Sequence, residues 1–194
     1  MHMPPMLAYT LRPSIFTNNR PYLEVGVGRG TEMYPDKPQE DSYWFCIFNA
    51  QNPRQKVKDW VLPGSQNSTI PAGIDTYMTN PQYLFAVATQ TLSTLHVPQG
   101  ALFDFLTKYG AGRELQKLEQ LNAVLSCGSF GHVSYALTGQ CGPREAGKPA
   151  PPSYERGEYT GNAAMLMMSL MPKMDGAPPW SICDSYTWKN PPAF

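Results

Sequence analysis

Two cysteines and a histidine crowd into one short stretch of this chain. Residues 126–142 read SCGSFGHVSYALTGQCG, with Cys127, His132 and Cys141 separated by four and then eight residues. A cysteine beside an imidazole is the arrangement of nucleophilic catalysis: the thiolate attacks and the ring manages the proton. The pairs this chain offers are Cys127 with His132 and Cys127 with His96. The setting of Cys127 argues against activation. It follows a predicted helix over 112–125, and the negative end of a helix dipole raises a thiol's pKa. Zinc needs a closely spaced pair of cysteines, and the spacing here is too wide, so no metal ligands are assigned. A disulfide between Cys127 and Cys141 would span a strand and its turns. Cys46 sits inside YWFCIF, where a free thiol behaves as a small hydrophobe. A core of this size needs no staples, so the thiols are expected to be mostly reduced and structural.

Other candidate chemistry is weaker still. GVGRG at 26–30 opens like a phosphate-binding glycine motif. Its third glycine falls one place early, and Met-Tyr-Pro-Asp follows instead of the helix that would face a pyrophosphate. A tight turn is the expectation. Asp75, Asp104, Glu114 and Glu119 are the carboxylates available to a glycosidase, and nothing in their spacing joins two of them. No cofactor motif appears. Aromatic residues are the richer signal. Tyr34, Tyr43, Trp60, Tyr154, Tyr159, Trp180 and Trp188 exceed what one small core needs. Aromatic faces stack on sugar rings and anchor protein contacts. Tyr34, Trp60, Tyr154, Tyr159 and Trp180 are therefore the candidate ligand-binding residues. The competing explanation is that they pin down long loops.

These residues must be carried by some scaffold, and the composition bounds it. At 194 residues the chain suits one domain. Charged residues make up 15% of it, with 15 Lys plus Arg against 15 Asp plus Glu. A neutral chain with no basic run has no field to draw in a nucleic-acid backbone. No segment approaches the ~20 apolar residues of a membrane helix. The most apolar run, AAMLMMSLM at 163–171, stops at Pro172. MHMPPM at the start lacks a basic region and a long apolar one, so no signal peptide is visible. The sequon Asn67-Ser68-Thr69 matters if a eukaryote secretes the protein. Compartment and oligomeric state stay open.

Periodicity predicts strands at 6–11 and 21–27, joined by a loop. A Gly/Pro-rich loop fills 26–41. SYWFCIFN at 42–49 is the strongest strand and a central one. KVKDWVL at 56–62 is a half-exposed strand. A short helix opens near Pro71, with Thr69 or Ser68 as its cap. QYLFAVATQ at 82–90 reads as a strand covered on both faces. Helices follow at 98–109 and 112–125, separated by Gly110 in the left-handed conformation that ends a helix. A strand at 132–138 precedes a long loop over 139–152. A last strand spans 163–170, and the tail beyond Pro172 docks through its aromatics. The expected fold is α+β (or α/β): one domain over 1–194, with a mixed, largely antiparallel sheet and two to three flanking helices.

The order SYWFCIFNA, VKDWVL, a helix after Ala72-Gly73-Ile74-Asp75, QYLFAVATQ, GALFDFLTKYGAG, Cys-Gly, a strand to Gly139 and then PSYE at 152–155 resembles the interleukin-like EMT inducer domain, or GG domain. The resemblance covers 42–155, about three fifths of the chain, and 156–194 would add a strand and a docked Pro/Trp-rich tail. It implies a compact fold and a non-catalytic role. Domains of that family occur in secreted signalling proteins and beside glycan-active enzymes, where carbohydrate recognition is a known use. It assigns no binding residue here. The expected function is a non-catalytic binding module for carbohydrate or a protein surface. The alternatives are a cysteine-dependent hydrolase or transferase using Cys127 with His132 or His96, and a structural or assembly protein.

Overall fold

A computed structural model describes residues 6–15, 19–26, 30–124, 131–159, 162–172 and 179–184. Three strands come first: β1 (Leu7–Arg12), β2 (Tyr22–Val25) and β3 (Thr31–Met33). Then come β4 (Ser42–Asn49), β5 (Lys56–Pro63), the short α1 (Asp75–Met78), β6 (Tyr83–Gln90) and β7 (Leu92–Ser93). Helices α2 (Gly100–Lys108) and α3 (Arg113–Val124) precede β8 (His132–Gln140), β9 (Ser153–Glu158), β10 (Leu166–Met171) and β11 (Ser181–Asp184). The strands form two sheets. The first has the order β11-β10-β1-β2-β3. The second runs β5-β4-β6-β8, with β7 and β9 also paired to β8. Every named pairing is antiparallel. The fold is thus predominantly β, with three helices, within the expected α+β class.

The second sheet is the middle of three layers, and its sequence explains why. Successive strand residues point to opposite faces. In β4, Tyr43, Phe45 and Ile47 pack toward the helices, together with Phe85, Val87, Tyr135, Leu102, Leu106, Leu115 and Leu118. Trp44, Cys46 and Phe48 pack the other way, against Tyr9, Leu11, Leu23, Leu166 and Leu170 of the first sheet. A strand apolar on both faces requires cover on both, as predicted for 82–90 and as found also for 42–49. Small residues at Ala86, Ala88 and Ala136 also line the sheet-to-sheet side, leaving room for large side chains such as Tyr9 and Trp44. One polar link crosses this layer. Thr138 Oγ1 donates to the Phe85 carbonyl at 2.7 Å. Its single proton is then spent, so the Tyr9 hydroxyl, 2.7 Å from the same Oγ1, must be the donor to it.

Helix α2 ends where Gly110 predicts. Gly110 has φ +103°, and Ala111 N–H closes back on the Leu106 carbonyl at 2.9 Å. Four expectations are corrected. The helix near Pro71 is a single turn from Asp75, because Gly73 at φ +77° cannot be helical; Thr69 and Ser68 do not cap it. The loop at 26–41 contains β3. The loop expected over 139–152 begins after Gln140, where β8 ends, and SYERGE just beyond it forms the edge strand β9, where no strand was expected. The tail is not irregular throughout: β11 extends the first sheet by pairing with β10. Among the described residues no helix is long and apolar enough to cross a membrane.

Candidate functional site

A groove of about 320 Å³ opens where the connection from β1 to β2, both of the first sheet, reaches across to the second. β1 ends at Arg12, and the strap Pro13-Ser14-Ile15 crosses between the sheets. Ser14 N–H donates to the Thr89 carbonyl at 2.9 Å, and Thr91 N–H donates to the Ser14 carbonyl at 2.7 Å. Pro13 leaves no N–H to satisfy in the crossing. The strap is one wall. Asn19, Arg20 and Tyr22 at the start of β2 and Tyr34 just beyond β3 complete the lining. Register places these groups together: Arg12 lies opposite Tyr22, while the intervening Leu11 and Leu23 point into the core.

The groove is both aromatic and cationic. The Tyr22 and Tyr34 rings are tilted at 50° with centroids 6.1 Å apart. The Tyr34 hydroxyl donates to Glu32 Oε2, and that bond to a carboxylate raises its pKa above the usual phenol value. Tyr34 is therefore a neutral phenol, and the residue is 38% exposed. Arg12 and Arg20 are exposed, and neither has an ion-pair partner among the described residues. The Gln90 amide donates to the Asn19 carbonyl at 3.4 Å, which holds the rim against β6.

Behind the strap lies a second cluster. Asp41 Oδ2 is 2.6 Å from His96 Nδ1, and Asp41 Oδ1 accepts from Ser93 N–H at 2.9 Å. The Asp41 carbonyl accepts from Gly64 N–H at 2.6 Å, and its N–H donates to Thr91 Oγ1 at 3.2 Å. The His96 carbonyl accepts from the Tyr43 hydroxyl, whose pKa burial drives far up. Asp41 at φ 48° and Thr91 at φ 43° both adopt the left-handed region. That conformation costs a side-chain-bearing residue about 1–2 kcal/mol, so the surrounding bonds must hold it. A carboxylate bound to an imidazole is how a catalytic base is oriented. Here no hydroxyl or thiol of the described residues hydrogen-bonds the His96 ring. The cluster ties together the ends of β4, β5 and β7, and through Thr91 it braces Ser14 in the groove wall. His132 stands exposed at the start of β8, in register with Ser93, and takes no part in it. Cys127 lies outside the described residues.

The remaining thiols are structural. Cys46, Cys141 and Cys183 are free, and burial raises the pKa of each. Cys141 is pushed up to about 12, with its sulfur 4.0 Å from Met78 Sδ in the core. Among the described residues no three metal-ligating side chains come together. Gly26 and Gly30 lie between antiparallel β2 and β3, and the element that follows is a strand, not a helix facing a phosphate. Arg144 stacks on Tyr109 at 5.4 Å from the ring centroid, and its Nε and Nη2 and the Tyr109 hydroxyl are buried without hydrogen-bond partners among the described residues.

The five aromatics chosen from sequence do not share a cleft. Tyr34 lines the groove. Trp60 donates from Nε1 to the Ala72 carbonyl at 3.2 Å and meets Tyr77 edge-on at 5.8 Å, pinning the segment before α1. Tyr154 and Trp180 pack against the core between the sheets, and Trp180 N–H donates to the Ala50 carbonyl at 2.7 Å. Tyr159, 45% exposed, shares a shallow depression with Leu121 and Val124 of α3. Sequence reasoning missed Arg12, Asn19, Arg20 and Tyr22. Apart from the strand pattern that carries Arg12 and Tyr22 outward, no signal marked them. Comparison with protein-family models, curated proteins and solved structures finds no match to this chain.

Proposed function

We propose that this chain is a non-catalytic binding module and that carbohydrate seats in the groove between Arg12, Arg20, Tyr22 and Tyr34. The observation that carries the reading is the convergence in one concavity of the exposed Tyr34, the half-buried Tyr22, Asn19 and two guanidinium groups that have no ion-pair partner among the described residues. A sugar ring presents an apolar face, which an aromatic ring covers, and a rim of hydroxyls, which amide and guanidinium groups can meet. The volume of about 320 Å³ is at the small end of ligand pockets, suited to a short saccharide or a chain end. The resemblance of 42–155 to the interleukin-like EMT inducer domain supports the same function. The groove itself is built by β1 to β3 and the strap, outside that span, so the proposed seat is this chain's own.

A glycan array with the folded protein tests the reading. Binding to a defined set of saccharides is expected. Tyr34→Ala should weaken it by up to about tenfold, the size of one aromatic contact, while Trp60→Ala leaves it unchanged. Silence across the array, or full binding by Tyr34→Ala, would remove the proposal.

A further inference from the structure

We infer that the saccharide this groove takes is acidic, carrying a carboxylate or a sulfate that Arg12 and Arg20 grip together. The inference rests on the carbohydrate reading above. It starts from how this neutral chain uses its cations. Lys56, Lys117, Lys148 and Arg156 are each in ion pairs. Lys58, Lys108 and Arg144 lie over aromatic rings. Arg12 and Arg20, like Lys37, Arg54 and Arg113, have neither kind of partner among the described residues, and of these five Arg12 and Arg20 line the same groove. A guanidinium presents a planar fork of donors that matches carboxylate and sulfate oxygens two at a time. Two such forks at the mouth of one concavity have more donors than a neutral sugar's hydroxyls need.

The neighbouring acids sharpen the geometry. Glu24 lies opposite Glu32 across the β2–β3 register, one row along from Arg12 and Tyr22. Glu32 is taken up by the Tyr34 hydroxyl. Neither acid lines the groove, so an anionic group is repelled from that row and drawn to the arginine end.

Calorimetric titration of the full chain tests this with three probes of equal length: a uronic acid tetrasaccharide, a sulfated tetrasaccharide and a neutral one. At least one acidic probe should bind tenfold or more tighter than the neutral one, with affinity falling as salt rises. Which acidic probe wins separates carboxylate from sulfate. Arg12→Gln with Arg20→Gln should abolish the difference, and Arg12→Lys with Arg20→Lys should keep part of it, since lysine keeps charge and lacks the fork. Both pairs lie on exposed side chains, and unchanged thermal unfolding verifies their fold. Equal binding of acidic and neutral probes overturns the inference and leaves the carbohydrate reading standing. Inorganic sulfate binding as tightly as the sulfated sugar overturns it too, since the site then reads an anion alone. No binding of any probe overturns both.

Discussion

Replacing Glu155 with alanine should lower the stability of the protein by about 2–4 kcal/mol, seen as a lower urea midpoint with unchanged slope. Glu155 stands on β9, yet it serves α3. Its Oε1 accepts from Gly112 N–H and Glu114 N–H, each at 2.9 Å, and Oε2 accepts from Leu115 N–H at 3.3 Å. Oε2 also accepts from the Tyr135 hydroxyl at 2.8 Å, beneath the helix layer. A helix start leaves its first N–H groups unpaired, and a negative charge there also meets the positive end of the dipole. An ordinary capping side chain is worth about 1 kcal/mol. This one also satisfies the hydroxyl of a fully buried tyrosine, and stranding that group costs a further 1–3 kcal/mol or so. Glu155→Gln keeps one acceptor oxygen and should lose roughly half as much. A loss below about 1 kcal/mol for the alanine variant would mean that water replaces the carboxylate and that β9 does not anchor α3.

Gly110→Ala should destabilise by a similar amount, about 3–4 kcal/mol, for an unrelated reason. A Cβ at position 110 would lie 1.7 Å from Ser153 Oγ and 2.6 Å from Ser153 Cβ, on a backbone with φ +103°. The left-handed strain accounts for about 1–2 kcal/mol of the loss, and the clash supplies the rest. The two parts separate in a double-mutant cycle. Ser153→Gly removes the atoms that clash, so Gly110→Ala should cost only its strain in that background. Additive losses would show that the turn between α2 and α3 does not press on β9. Both variants probe one seam, where the helix pair rests on the edge of the middle sheet.

The elements that were legible in the sequence are those whose pattern follows from burial. SYWFCIFN and YLFAVATQ carry apolar residues at every step because each is covered on two faces. The leucines of α3 recur at helical spacing because one side faces the sheet. β3, β9 and β11 were invisible as strands for the opposite reason. TEM, SYERGE and SICD lie in a sheet through backbone pairing, and their side chains show no sustained alternation. Gly73 hid the shortness of α1, since a glycine in a predicted first turn is read as tolerable until its φ is known.

The site was less legible than the fold. Tyr34 stood out because an aromatic in a Gly/Pro-rich loop is unusual. Trp60 and Trp180 stood out equally, yet the Trp60 indole donates to the Ala72 carbonyl and Trp180 packs against the core between the sheets. Residue type alone cannot separate these uses. Arg12 and Arg20 look ordinary in sequence; they matter because the β1–β2 pairing and the strap to β6 bring them to one mouth. The Asp41–His96 contact spans 55 residues and Gly112–Glu155 spans 43, so no local motif announces either.

The account turns on the groove as the place where ligand sits. The most direct test is an amide NMR titration of the wild-type protein with the tightest acidic oligosaccharide. The account predicts that shift changes concentrate at Arg12, Ser14, Asn19, Arg20, Tyr22 and Tyr34, with Trp60, Tyr159 and Trp180 unmoved. Changes centred instead on the lysine-lined cleft at Lys56 and Lys58, or on α3 beside Tyr159, would contradict it.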